Sequence, residues 1–83
     1  MMQAWYRVRT QASLGEAVAD IREAAGLNQT EAAEWAGTSR PTLSRLERGR
    51  ATSTSVVLDV LAATGYEVIL VPRGSRVTVT EGR

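Results

Sequence analysis

Apolar residues recur at helical spacing along the first part of the chain. Six of them, three or four positions apart, form one face of a helix over about 14–25: Leu14, Ala17, Val18, Ile21, Ala24 and Ala25. Ser13 and Glu16 fit a capping box at the start of this helix, and Gly26 is a typical C-terminal stop. The pattern therefore predicts a first helix that buries one face.

A second helix is predicted after a tight turn. Asn28 and Glu31 form another capping box, and this helix is expected to end at Gly37. Thr38 or Ser39 then caps a third helix. The connection between the second and third helices is therefore only a few residues long.

The third helix is short and rich in arginine. Pro41 is tolerated there because the first turn of a helix has no intrahelical partner for the missing N–H. Leu43 and Leu46 are predicted to face inward, and Gly49 ends the helix. Two helices joined by a tight turn that contains glycine, the second short and basic, are typical of a helix-turn-helix.

The chain changes character after a fourth helix. Five apolar residues predict that helix, which is expected to stop at Gly65: Val56, Val57, Val60, Leu61 and Ala63. Residues 66–72 are β-branched and apolar, so they predict a strand. Isolated strands are not stable in water, so this one requires a partner. Within the chain, the candidates are a hairpin with residues 76–80 and pairing with an N-terminal strand over 4–9.

Length and composition fit one small globular domain. The chain has 83 residues, of which 43% are hydrophobic and 23% are charged. We divide it into an N-terminal arm or strand (1–12), a helical domain (13–65) and a C-terminal strand with a tail (66–83). No apolar run approaches the roughly 20 residues of a membrane span. The sequence also lacks a signal peptide pattern, so a cytoplasmic protein is expected.

Missing residue types narrow the possible functions. The chain has no cysteine and no histidine, which excludes disulfides, thiolate metal sites and every catalytic mechanism that depends on histidine. A nucleotide-binding glycine motif is absent as well. We therefore predict a binding protein that is not an enzyme, with no catalytic residue, no metal and no cofactor.

Charge is distributed unevenly. The net charge is only +1. Residues 37–50 nevertheless hold four arginines against one glutamate, and residues 14–36 are acidic. All ten basic residues are arginine, the side chain that suits bidentate contact with guanine or phosphate. This concentration of positive charge in one segment predicts an anionic partner.

The motifs around this basic segment resemble those of the Xre/Cro-type helix-turn-helix regulators. The resemblance covers about residues 13–65 and rests on mutually spaced pieces: Arg22, the turn Gly26-Leu27-Asn28-Gln29, Ala33, Gly37 and the terminus Leu46-Glu47-Arg48-Gly49. It implies a mainly α, lambda-repressor-like fold of four to five helices. It also implies sequence-specific binding to double-stranded DNA and repression of transcription.

The resemblance also implies which residues contact DNA. The residue matching Gln29 binds a backbone phosphate in this family, and the third helix matches the recognition helix that enters the major groove. Arg40 and Arg45 are the candidates for reading bases, whereas Arg48 and Arg50 are expected to contact phosphates. The full predicted set is Gln29, Thr38, Ser39, Arg40, Pro41, Thr42, Ser44, Arg45, Arg48 and Arg50.

Four further positions acquire a meaning from the family pattern. Arg22 and Glu47 match an ion pair that connects the first helix to the end of the recognition helix, and its role is architectural. The family usually has leucine in place of Ala32 and a polar or basic residue in place of Trp35. We expect the indole of Trp35 to fold over the space that Ala32 leaves. The alternative is an exposed aromatic anchor for a protein partner.

The predicted strand after the fourth helix is similar to that of the HipB-like antitoxins. In that subgroup the strand pairs with its two-fold mate to form a β-lid, and the matching residues here are Tyr66, Val68, Ile69, Leu70 and Val71. Such a homodimer places two recognition helices about 34 Å apart over a palindromic operator.

The HipB-like resemblance implies an antitoxin that represses its own operon and neutralises a HipA-like kinase toxin. Two alternatives stay open: a stand-alone repressor, and a toxin-neutralising subunit that binds DNA weakly. The N-terminal segment is also open to two interpretations. Arg7 and Arg9 either enter a minor groove of DNA, or the segment forms the edge of a sheet.

Overall fold

The computed structural model describes residues 5–80. Four α-helices account for its regular structure: α1 (Gln11–Ala24), α2 (Gln29–Ala36), α3 (Arg40–Glu47) and α4 (Thr54–Ala63). The mainly α fold that the sequence predicts is confirmed, with four helices. Residues 1–4 of the predicted N-terminal arm and residues 81–83 of the predicted tail lie outside the described residues.

The helices meet around a small apolar core. Its largest fully buried side chains come from three helices: Val18 from α1, Leu43 and Leu46 from α3, and Val60 from α4. α3 packs against α1 and α2, and α4 packs against α2. The buried side chains of Leu43 and Leu46 therefore hold α3 against the core, and the opposite face of α3 is exposed to solvent.

α1 begins earlier than the sequence predicts. The Oγ1 of Thr10 accepts a hydrogen bond from the backbone N–H of Ser13 at 3.0 Å, and the Oγ of Ser13 accepts one from the backbone N–H of Thr10 at 3.1 Å. The predicted capping box of Ser13 and Glu16 is therefore wrong. Thr10 is the N-cap, and Ser13 is the third helical residue, which completes the capping box with Thr10. The longer helix brings Gln11 and Ala12 next to the end of α3.

The other helix starts follow the sequence more closely. The capping box of Asn28 and Glu31 is confirmed by two hydrogen bonds of 2.8 and 2.9 Å. Of the two candidate caps of α3, Ser39 is the one that the structure uses. Ser53 caps α4 in the same way.

Residues 66–72 are extended but form no strand within the described chain. No backbone hydrogen bond joins residues 67–71 to any other described residue. Neither intrachain hairpin considered for the segment, with residues 76–80 or with the N-terminal strand, is present in the part of the chain that the structure describes. An extended segment forms a strand only when its N–H and C=O groups meet a ladder partner. The strand therefore stays a prediction that depends on another chain.

The N-terminal segment lies against the C-terminal one. The rings of Tyr6 and Tyr66 meet edge to face with centroids 6.3 Å apart, and both pack on the core. The guanidinium of Arg7 donates to the backbone carbonyl of Ser75 at 3.1 Å and lies 5.5 Å from the ring centroid of Trp5. Arg7 is thus engaged within the protein.

Trp35 is not part of the core. Ala32 is fully buried, whereas the Trp35 side chain is 67% exposed, so the expectation that the indole folds over Ala32 is wrong. Ala32 and Ala33 are both buried where α2 packs against α3 and α4, and this close approach of the helices leaves no gap for an indole. Trp35 lies on the outer flank of α2, one helical turn after Glu31.

None of the helices within residues 5–80 combines the length and the apolar character needed to cross a bilayer.

Candidate nucleic-acid interface

A three-residue turn sets the start of α3 relative to α2. Gly37 adopts a left-handed conformation (φ 73°), and the backbone N–H of Thr38 donates to the carbonyl of Ala33 at 2.9 Å. This arrangement satisfies the last carbonyls of α2 and reverses the chain at once. The short turn fixes where the first residues of α3 point.

The cap of α3 uses two of the predicted DNA-contacting side chains. The Oγ of Ser39 accepts from the backbone N–H of Thr42 at 3.2 Å and donates to the Oγ1 of Thr42 at 2.8 Å. Pro41 follows in the first turn, where its missing N–H costs nothing. Ser39 and Thr42 therefore stabilise the end of the helix that is predicted to meet the bases.

The outward face of α3 carries the predicted contact residues. Leu43 and Leu46 are fully buried, and the residues on the opposite side of the helix point to solvent. Pro41, Ser44, Arg45 and Arg48 lie on that side at helical spacing, with Arg40 beside them at the N-terminus. Arg40, Pro41, Arg45 and Arg48 are exposed, and Ser44 is half-buried.

The arginines of this face are not neutralised. Arg40, Arg45, Arg48 and Arg50 are all exposed, and none forms an ion pair with a residue of the described chain. Glu47, the single acidic residue of the segment, is paired with Arg22 on the core side. Four free guanidinium groups therefore give this face a positive potential that suits an anionic ligand.

Arg22, Gln29 and Glu47 form one hydrogen-bonded network that joins α1, α2 and α3. Arg22 donates to both carboxylate oxygens of Glu47, from Nε at 2.6 Å and from Nη2 at 2.9 Å. Gln29 donates from Nε2 to the same carboxylate at 2.9 Å, and Arg22 also donates to the carbonyl of Leu27 at 2.8 Å. The network holds α3 to α1 and α2.

Both charges of this network are shielded from solvent. The side chains of Arg22 and Glu47 are 11% and 7% exposed. The hydrogen bond from Glu47 raises the pKa of Arg22 above its ordinary value, and burial opposes the rise. A raised pKa adds stability that is present below the unfolded-state pKa of arginine and is lost only in strongly alkaline solution. On the arginine side, the network is therefore insensitive to pH near neutrality.

Gln29 has a structural role that the sequence did not indicate. Its side chain is half-buried against Glu47, at the N-terminus of α2. The backbone N–H groups of Gln29 and Thr30 meet no acceptor among the described residues, because the cap Asn28 serves Glu31 and Ala32. Phosphate binding by the backbone at this helix start stays a prediction.

The end of α3 rests directly on α1. A Cβ atom added to Gly15 would lie 2.5 Å from the carbonyl oxygen of Leu46 and 2.7 Å from that of Glu47. Gly49 reverses the chain with φ 82°, and a Cβ atom added to Gly49 would lie 3.1 Å from the Cα of Ala12. Only glycine at position 15 allows this approach of a backbone to a helix face.

The loop that carries Arg50 is anchored to α1. The side-chain amide of Gln11 donates to the carbonyl of Arg50 at 3.0 Å, and the N–H of Arg50 donates to the carbonyl of Arg45 at 2.9 Å. These contacts hold Arg50 close to the end of α3.

The structure brings the predicted contact residues together in one continuous stretch, from the start of α2 through the turn to the end of α3. Within residues 5–80, no group of three or more acidic side chains is placed to hold a metal ion. Sequence reasoning missed the supporting contacts of Gln11 and Gly15. Gly15 left one signal, since glycine is unfavourable inside a helix unless close packing requires it.

Comparison with known proteins settles the family. The sequence profile of the helix-turn-helix domain matches residues 13–72. The chain belongs to this helix-turn-helix family. No curated protein sequence matches it.

Solved structures share the fold of this chain. The helix-turn-helix chain is 34% identical to the clp gene regulator ClgR from Corynebacterium glutamicum, with a TM-score of 0.64; the match covers 69% of this chain and 62% of that one. It is 20% identical to HipB in complex with an O2 20mer, with a TM-score of 0.77, and the match covers 84% of this chain and 99% of HipB. HipB in a HipA-HipB-O2-O3 complex gives a TM-score of 0.75 at 20% identity, covering 83% of this chain and 99% of that chain.

At 20% identity the likeness to HipB shows the fold alone, and the chain spans about three fifths of the ClgR chain that it matches. The family match and the shared fold together identify an Xre-type helix-turn-helix protein.

Proposed function

We propose that this helix-turn-helix protein is a sequence-specific repressor that binds double-stranded DNA through α3. The observation that carries the proposal is the outward face of α3, where the exposed guanidinium groups form no ion pair with any residue of the described range 5–80. The helix behind that face is held by the network of Arg22, Gln29 and Glu47. A rigid basic helix that projects from a core suits the major groove of DNA.

The side chains divide into two roles. Arg40 and Arg45, at the N-terminal and central part of the face, read bases, and each bidentate contact with guanine contributes roughly 1–3 kcal/mol of discrimination. Arg48, Arg50 and the helix start at Gln29 bind phosphates, which fix register without reading sequence. The remaining members of the interface lie between these groups: Thr38, Ser39, Pro41, Thr42 and Ser44.

The proposed repressor acts as a homodimer. Four consecutive apolar residues, Val68 to Val71, are exposed, and they cover both faces of the extended segment. A strand that belonged to the monomer would hide at least one of these faces. Pairing of Tyr66, Val68, Ile69, Leu70 and Val71 with a second copy would bury them and set two copies of α3 about 34 Å apart on a palindromic operator.

The finer assignment that we propose is an antitoxin that represses its own promoter and neutralises a kinase-like toxin. Support comes from the match over 99% of the length of HipB, which has also been solved in a complex with HipA. The rival assignment is a stand-alone regulator, and the higher identity to the clp gene regulator ClgR favours it.

Selection of genomic DNA fragments tests the DNA-binding proposal. We expect the wild type to enrich one or a few sites, including the region upstream of its own gene. Arg40→Ala/Arg45→Ala should lose this enrichment, and Arg73→Ala, which removes an exposed arginine far along the chain from α3, should retain it. Unchanged enrichment by the double variant would contradict the proposed recognition surface. It would favour a toxin-neutralising subunit for which DNA binding is secondary.

Purification of the protein from its native host separates the two finer assignments. Stoichiometric recovery of a kinase-like protein encoded beside its gene, together with rescue of that protein's growth arrest, is the outcome expected for an antitoxin. Recovery with DNA alone would favour the stand-alone regulator.

A further inference from the structure

The exposed apolar side chains of this protein are concentrated in its two terminal segments. Nine large apolar side chains are exposed in the described chain, and seven of them lie within residues 5–9 or 66–80: Trp5, Val8, Val68, Ile69, Leu70, Val71 and Val79. The four helices contribute only Trp35 and Leu58. The segments that flank the helical domain therefore carry most of the surface that favours burial.

These two segments are joined to each other. Arg7 donates to the carbonyl of Ser75 at 3.1 Å, and the rings of Tyr6 and Tyr66 meet edge to face. Tyr66 is itself anchored, since its backbone N–H donates to the carbonyl of Leu61 at 2.8 Å. The stretch between Tyr66 and Ser75 is thus pinned at both ends, and the N-terminal segment supplies a contact at each.

The proposed lid strand is small for an interface on its own. Residues 66–72 number seven, whereas a standard interface uses about 20–30 residues from each partner. The N-terminal segment contacts Tyr66 and Ser75 and adds the exposed side chains of Trp5 and Val8. An interface that includes this segment therefore buries more apolar surface than the strand alone.

We propose that residues 5–8 and 66–72 form one composite dimerisation surface, that Arg7 holds its two parts together through the carbonyl of Ser75, and that a second copy of this chain covers it. The unpaired backbone of residues 67–71 supplies the groups for intersubunit pairing, and the apolar side chains of both segments are buried beside it. Arg7 is a positioning residue, because it holds the C-terminal segment against the N-terminal one without itself being apolar.

This inference rests on the homodimer of the proposed function and assigns the N-terminal segment a role in it. It also separates the two arginines of that segment. The side chain of Arg9 is exposed and makes no hydrogen bond or ion pair with the described residues, whereas that of Arg7 is held by Ser75 and Trp5. Arg9→Ala is therefore a matched control for Arg7→Ala, with the same change of charge two positions away.

Sedimentation equilibrium of the full chain without DNA tests the composite surface. Arg7→Ala should raise the dimer dissociation constant at least tenfold, and Arg9→Ala should change it less than twofold. Trp5→Ala should weaken the dimer as Arg7→Ala does. Far-UV circular dichroism should show unchanged helix content in all three, because the substituted side chains lie outside the core.

Equal dissociation constants for Arg7→Ala and Arg9→Ala would overturn the composite surface. Leu70→Glu distinguishes this result from failure of the dimer itself, since Leu70 is 91% exposed and its replacement leaves the fold of the monomer intact. If Leu70→Glu abolishes the dimer while Arg7→Ala and Trp5→Ala leave it unchanged, the dimer forms through the C-terminal strand and the N-terminal segment does not contribute to it. If Leu70→Glu leaves the dimer intact, the proposed lid and the composite surface both fall.

Discussion

Trp35 shows how far one residue departs from its expected environment. Because its side chain is 67% exposed, Trp35→Ala should change the free energy of unfolding by no more than about 0.5 kcal/mol, as surface substitutions usually do. Urea denaturation of the two proteins measures this difference. Loss of a buried tryptophan would instead cost about 3–5 kcal/mol. Leu43→Ala, which truncates a fully buried side chain on the next helix, is the destabilising control.

A large loss of stability in Trp35→Ala would mean that the indole is covered in solution, either by the protein itself or by a second copy. An unchanged stability leaves the alternative interpretation of the sequence, an exposed aromatic anchor. Tryptophan is among the residues enriched at interface hot spots, so binding of the proposed toxin partner is the property to measure in this variant.

The position of the recognition helix depends on contacts between whole elements, and Glu47 is the centre of them. Glu47→Ala leaves the guanidinium of Arg22 buried at 11% exposure without its counter-ion. Breaking a buried pair on one side typically costs about 3–5 kcal/mol. We expect a loss of this size in urea denaturation. Arg22→Met/Glu47→Leu should lose much less than the sum of its single substitutions, because no charge is then stranded. Additive losses would show that the two charges do not interact.

Gly15 sets the distance between α1 and the end of α3. Gly15→Ala should destabilise the fold by about 1–3 kcal/mol, since the added methyl group meets backbone atoms of Leu46 and Glu47 that cannot rotate away. Helix propensity alone predicts the opposite sign, a gain of up to about 1 kcal/mol. Thermal unfolding therefore decides between close packing and propensity. Gly15→Ser is the larger member of the series and should lose more.

The helices of this protein could be predicted from local patterns because their determinants are local. The box of Asn28 and Glu31 and the stop at Gly37 lie within a few residues of the helix ends that they define. The ion pair of Arg22 and Glu47 was also correctly expected, from the family resemblance, although its residues are 25 positions apart. The sequence predicts the start of α1 too late, because Ser13 and Glu16 have the spacing of a capping box although Thr10 caps the helix.

What could not be predicted depends on contacts between distant parts of the chain. Nothing near Gln11 in the sequence indicates a bond to the carbonyl of Arg50, and nothing near Arg7 indicates Ser75. The exposure of Trp35 is set by how closely α2 approaches α3 and α4, a property of the assembled core. The predicted strand over 66–72 has no ladder partner within the described residues, so it stays a prediction that requires a second chain.

At the scale of the whole molecule, the two-fold symmetry of the proposed dimer doubles the expected effect of each proposed DNA contact. A dimer in which Arg48 binds one phosphate per subunit loses two contacts in Arg48→Ala. The slope of log Kobs against log salt should then fall by about 1.8, since each phosphate contact contributes about 0.9. Fluorescence anisotropy with the selected site over a range of NaCl concentrations measures this slope, with Arg73→Ala as the control that keeps it.

A monomer on DNA gives a different number. Loss of a single phosphate contact lowers the slope by about 0.9, half the value for the dimer. The change in slope caused by Arg48→Ala therefore counts the subunits bound. In the background of Leu70→Glu, the proposed monomeric variant, Arg48→Ala should lower the slope by the smaller amount.

Arg45→Ala should behave differently from Arg48→Ala. As a base reader it should weaken the selected site by roughly 1–3 kcal/mol per contact and leave binding to unrelated DNA nearly unchanged. Equal weakening on all DNA would make Arg45 a phosphate contact.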